Sequence, residues 1–302
     1  MALRDYLVGE VAEDFSDGLL TRREALRRLG LLGLSASAAS TLLAACATSG
    51  PSEPAGSAPT SAAPATVEPP GRAQSVGRGE TIRFAGPAGE LQGAWAAPAD
   101  QPRGALLVIH ENRGLTEHFY DLVGRLAGAG YGALCVDLLS AQGGTAALAD
   151  PAQAPTELAA KPADALLADL RAGIDELGRR VPGAKVGVVG FCFGGGMTWQ
   201  LLQAGETRIA AAVPFYGPAP EQPDFRRATA AVLAVYAGLD DRVNASRERA
   251  EAALRDAGLT YQIRTFDGAD HAFFNDTGAR YNAEAAEQAY TAMMDWFGRY
   301  LG

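Results

Sequence analysis

The sequence is poor in the residues that most often carry chemistry. It holds three cysteines and three histidines among 302 residues. Three cysteines are too few for a disulfide framework. The histidines are scattered and form no cluster of metal-ligand spacing, so no metal site is expected. Basic residues are also in deficit, 26 against 35 acidic, for a net charge of −9. Such a chain lacks the basic face that phosphates require, which excludes a general nucleic-acid binder. No phosphate loop or dinucleotide fingerprint is present, and no cofactor is expected. There is no collagen period, heptad array, internal repeat or multi-pass membrane pattern. A hydrophobic share of 48% with 20% charged residues excludes a chain disordered throughout.

What the N-terminus does contain reads as an address. Arg22-Arg23 precedes an apolar, uncharged run from Leu29 to Ala45. At about 17 residues it reaches only the short limit for crossing a ~30 Å bilayer core. A basic region, a short apolar stretch and small residues form the signal-peptide layout, and paired arginines are the mark of a twin-arginine signal. The alternative is an amphipathic N-terminal helix with a chance Arg-Arg. The run closes on Leu43-Ala44-Ala45-Cys46, the pattern of a bacterial lipobox. Lipidation at Cys46 would anchor the protein to a membrane surface; simple secretion is the alternative. Residues 1–45 are thus expected to be a signal peptide, and the location exported, in the periplasm or cell envelope.

Residues 46–79 are dominated by Ala, Ser, Pro, Gly and Thr. They cannot bury enough surface to offset their ordering entropy and are expected to be a disordered tether. Residues 80–302 then form one domain that keeps the acidic balance.

That domain alternates strands and helices. Thr81–Phe84 and Leu91–Ala97 form an opening hairpin. Ala105–His110, Gly132–Asp137 and Val186–Gly190 are continuous apolar runs, the mark of strands buried on both faces. Further strands are expected at Ile209–Phe215, Ala231–Ala237 and Tyr261–Phe266. Helices are expected near 116–129, 162–178, 244–257 and 282–300. Such alternation predicts an α/β fold with a mainly parallel sheet covered on both faces.

The chemistry gathers at strand ends. Gly190-Phe191-Cys192-Phe193-Gly194 follows a buried strand and opens a helix. This is the G-x-S-x-G nucleophile elbow with cysteine in place of serine. Glycines on either side let strand and helix approach closely, and the helix N-terminus favours a thiolate at Cys192. Cys135, mid-strand among apolar neighbours, is packing. Asp240 and His271 follow later strands, in the order nucleophile, acid, histidine. A histidine beside sulfur relays the proton, and an acid fixes its tautomer. Asp240 is preferred to Asp241, which is assigned to a turn or cap. His110-Glu111-Asn112-Arg113 follows the first buried strand, where an oxyanion loop belongs; the backbone N–H groups of Phe193 and Asn112 are the expected donors. Glu111 either takes the thiol proton or is a surface residue. Arg113 either binds a substrate carboxylate or makes a structural ion pair. His118 is expected to be exposed or structural.

Together, His110-Glu111, the elbow at Cys192, Asp240 and His271-Ala272-Phe273 resemble the dienelactone hydrolase family over about residues 80–302. The resemblance implies an α/β-hydrolase fold and a Cys192–His271–Asp240 triad acting on an ester or lactone through a thioacyl intermediate. It also implies that Glu111 pairs with Cys192 until an anionic substrate displaces it. The family's substrate-holding arginines have no match in Asp137–Gln142 or in Phe273–Asp276; Arg280 lies further on. A non-catalytic or redox-responsive envelope binding protein on the same fold is the competing reading.

Overall fold

The computed structural model describes residues 3–47 and 68–302. An eight-stranded sheet organises the domain. Its strands are β1 (Glu80–Gly86), β2 (Gly89–Ala96), β3 (Gly104–Ile109), β4 (Tyr131–Asp137), β5 (Val186–Phe191), β6 (Ile209–Phe215), β7 (Ala231–Ala237) and β8 (Tyr261–Phe266). They run in the order β1-β2-β4-β3-β5-β6-β7-β8. β1 and β2 form an antiparallel hairpin, and β2 joins β4 antiparallel. From β4 onward every pairing is parallel. Every residue of β3, β4, β5 and β7 is buried, as strands with both faces covered must be. The strand–helix alternation predicts this mainly parallel sheet, and the order of strands is that of the α/β-hydrolase fold the family resemblance implies.

The helices of the described residues are α1 (Leu3–Ser16), α2 (Arg22–Leu31), α3 (Ala36–Ala47), α4 (Glu117–Gly128), α5 (Ala154–Ala160), α6 (Ala163–Arg180), α7 (Phe193–Gln203), α8 (Asp241–Asn244), α9 (Arg247–Asp256) and α10 (Ala283–Tyr300). Parallel strands demand such crossovers, and each places the next strand's C-terminal end on the same rim of the sheet. The site is built on that rim.

The N-terminal residues are helical and packed. Thr21 accepts from the Glu24 N–H and caps α2, a local box written as T-x-x-E. Leu7, Ala25 and Leu29 are fully buried, and Arg27 pairs with Asp150 of the domain. The apolar run from Leu29 to Ala45 is divided between α2 and α3 by a turn with Gly33 at φ +82°. No helix among the described residues is long and apolar enough to cross a membrane. Cys46 lies on α3 and its side chain is outside the described residues.

The folded domain also starts before residue 80. Residues 48–67 of the expected tether lie outside the described residues, but 68–79 are fixed against α4. Val76 N–H donates to Gly124 O at 3.2 Å and Gly79 N–H to Tyr120 O at 2.8 Å. Arg72 pairs with Asp121, and Arg125 donates to Pro70 O. Composition failed there because this stretch is held by its backbone groups and Arg72, not by large apolar side chains.

Candidate active site

Cys192 stands between β5 and α7 at φ 56°, ψ −117°, a conformation rare for any residue with a Cβ. Close approach enforces the turn. A Cβ on Gly190 would lie 2.0 Å from Gly194 O, and one on Gly194 would lie 2.2 Å from Ile109 O. The Cys192 N–H donates to Phe215 O at 3.1 Å. Phe193 opens α7, so its N–H has no partner within the helix.

His271 follows β8 and is 1% exposed. Its Nδ1 lies 2.5 Å from Asp240 Oδ2. Asp240, fully buried after β7, uses its other oxygen to accept from Val243 N–H at 3.0 Å. It therefore both orients the histidine and caps α8; the capping role given to Asp241 falls to Asp240, and Asp241 is exposed. Burial alone would raise the Asp240 carboxyl, but the hydrogen bond and charge of His271, with Arg242, hold it below its ordinary value.

Cys192 and His271 come together, but two residues of α1 come with them. Sγ lies 3.2 Å from the Tyr6 hydroxyl, and the thiol donates to Glu10 Oε2 at 3.6 Å. Glu10 Oε1 is 3.3 Å from His271 Nε2 and pairs with Arg242. Ligand-type atoms of Glu10, Cys192 and His271 all lie within 4.8 Å of one another. Titratable donors thus do converge, although their spacing in the chain gives no sign of it. The Arg242 guanidinium on Glu10 opposes a metal cation there.

The electrostatics follow from this packing. Burial would lower the His271 pKa, yet the Glu10 carboxylate and the Cys192 and Asp240 contacts hold it well above its ordinary value. Burial and the neighbouring Glu10 charge raise the Cys192 thiol against the pull of His271. The Glu10 carboxylate thus favours a charged imidazole and disfavours a thiolate beside it.

Glu111 is buried at the end of β3 but is not paired with Cys192. Its Oε2 accepts from Asn275 Nδ2 at 2.7 Å, and its Oε1 from the Tyr216 hydroxyl at 3.4 Å. The pairing implied by the family resemblance is replaced here by Glu10, because α1 fills the space beside the sulfur. Asn112 is half-buried and Arg113 exposed; both line a cavity of about 300 Å³ with Cys192, His271 and Arg280. A second cavity of about 230 Å³ is lined by Phe193, Met197, Pro218 and Tyr6. His118 is buried, with Nδ1 2.6 Å from Asp276 Oδ1, and is structural. His110 is buried as well: its Nε2 accepts from Leu138 N–H at 3.1 Å and ties the end of β3 to that of β4.

Residues 91–301 match the dienelactone hydrolase family. This chain belongs to the dienelactone hydrolase family. As a member it is a hydrolase acting on ester or lactone bonds. It is 33% identical over 223 residues to a protein of Methylorubrum extorquens provisionally named carboxymethylenebutenolidase, covering 68% of this chain and 75% of that one. A protein of the same provisional name from Salmonella typhi is 32% identical over 267 residues, covering 82% of this chain and 97% of the relative. Among solved structures, a provisionally named dienelactone hydrolase from Klebsiella pneumoniae superposes with TM-score 0.65 at 30% identity, covering 73% of this chain and 98% of the other.

Tyr6, Glu10, Arg242, Tyr216 and Asn275 join the site without belonging to any motif of the sequence. The first two sit in the segment expected to be a signal peptide, and an arginine two residues after an expected acid carries no motif. Tyr6, Glu10, Glu13 and Asp14 share one face of α1 by their spacing, and Asp17 follows directly after the helix.

Proposed function

We propose that this hydrolase is an exported thiol enzyme that opens ester or lactone bonds through Cys192, His271 and Asp240. The supporting observation is the 2.5 Å contact of Asp240 with His271 beside a cysteine held on a left-handed elbow. His271 takes the thiol proton, and the thiolate attacks the substrate carbonyl carbon. The N–H groups of Phe193 and Asn112 receive the developing oxyanion. The carbon–oxygen bond to the leaving group breaks, and His271 returns the proton to the departing oxygen. Water, deprotonated by His271, then attacks the thioester; the acid leaves and the thiol is restored. Asp240 holds the imidazole tautomer throughout.

Arg113 at the open rim contacts an acidic substrate group. The twin arginines and the apolar run that follows support export. Lipidation at Cys46 would place the domain at a membrane surface. A non-catalytic or redox-responsive binding protein is not favoured: the acid–histidine contact has no role in it, and Cys135 is too deeply buried to act as a resolving thiol.

The test is hydrolysis of a panel of lactones and small aryl esters by the wild-type chain and by Cys192→Ala. Turnover should fall on the order of 10³-fold or more. An unchanged rate in Cys192→Ala would overturn the assignment.

A further inference from the structure

The contacts of α1 have the form of an occupied active site. Tyr6 and Glu10 lie 3.2 Å and 3.6 Å from the sulfur. A carbonyl carbon must come to about 3–3.5 Å of the nucleophile to react, so these two side chains stand where the substrate has to be. Cys192 is 3% exposed beneath them.

Two arginines of the rim hold the helix down along its acidic stripe. Arg242 binds Glu10 and donates to Glu13 Oε2 at 2.8 Å, with its guanidinium 4.7 Å over the Tyr6 ring. Arg280 donates to Asp14 at 2.9 Å and to Asp17 at 3.0 Å. Arg242 lies on α8 directly after Asp240, and Arg280 lies in the stretch between His271 and α10, so the helix is clamped by the segments that follow the proposed acid and base.

We propose that α1 is a built-in inhibitor that occupies the substrate position and must leave before turnover. Docked, Glu10 does two things against reaction. Its charge opposes formation of a thiolate beside it, and it takes up the imidazolium of His271 as a partner. α1 also contributes to the walls of both cavities, with Glu10 and Asp14 on the polar one and Tyr6 on the apolar one. Its departure joins them into one cleft at the sulfur. Any event that removes residues 1–45 or pulls α1 away therefore switches the enzyme on.

The turnover part of this inference rests on the thiol-hydrolase reading; the accessibility part rests on the placement of α1 alone. The test uses the full chain in two variant forms, Tyr6→Ala/Glu10→Ala and Asp14→Lys/Asp17→Lys. The first removes the plug at the sulfur, and the second sets like charges against Arg280. Neither touches the hydrolase domain. Two rates are measured: alkylation of Cys192 by iodoacetamide, located by peptide mass spectrometry, and hydrolysis of p-nitrophenyl acetate. Both should rise about tenfold or more in each variant, as expected when a rare open state becomes the common one. Alkylation of Cys192 at the wild-type rate in both variants, with folded circular dichroism spectra, overturns the proposal. Faster alkylation without any ester hydrolysis supports the plug and overturns the thiol-hydrolase reading instead.

Discussion

Asp240 carries two tasks with its two oxygens, one toward His271 and one toward the N–H of Val243. An asparagine would keep the cap through its side-chain oxygen while turning an amide toward the imidazole. Asp240→Asn should therefore fold normally and lose turnover, by roughly 10²- to 10⁴-fold in kcat. Steady-state kinetics beside a thermal melt check this; equal loss of stability and rate would assign Asp240 to structure alone. Glu111 shows how a residue can be legible and its partner not. Its place after β3 follows from the sequence, but its bond to Asn275 depends on a loop 164 residues away.

At the scale of elements, the elbow is a packing solution as much as a chemical one. β5 enters it and α7 leaves so closely that a single methyl group has no room. Gly190→Ala would put its Cβ 2.0 Å from a backbone oxygen of α7. Backbone cannot yield as a flexible side chain does, so we expect a loss of about 3 kcal/mol or more. Chemical denaturation reads it; a variant as stable as the wild type would show the turn to be looser than described. The N-terminal helices obey the same local rules as the rest. Thr21 and Glu24 make an ordinary capped start for α2, and such a box is as visible in the sequence as Arg22-Arg23.

At the scale of the whole molecule, an ion-pair network stitches the sheet to its helices. Glu206, ahead of β6, accepts from Arg208 at 2.7 Å and from Arg171 of α6 at 3.2 Å. The Arg208 hydrogen bonds lead the causes that hold its pKa down to about 2, against an ordinary value of 4.5. A carboxyl depressed in the folded state stabilises above its unfolded value and loses that contribution as pH falls through the folded one. The wild-type chain should lose stability between pH 4.5 and about 2, and Glu206→Gln should flatten that part of the profile. Melting temperatures across this range check it; parallel profiles would place the acid sensitivity elsewhere.

By itself the sequence determined the strand–helix alternation, the elbow pattern around Cys192, the chain order Cys192, Asp240, His271 at successive strand ends, and the expectation of a mainly parallel sheet. These follow from periodicity and short-range spacing, which the chain carries locally. Only the tertiary structure decided who touches whom across the rim. It set the carboxylate of Asp240, the acid that the chain order already favoured, 2.5 Å from His271. It turned Glu111 toward Asn275 and set Glu10 and Tyr6 against the sulfur, 182 and 186 residues away in the chain. Contacts at that separation depend on how a helix seats on a finished surface, and no local pattern encodes that seat.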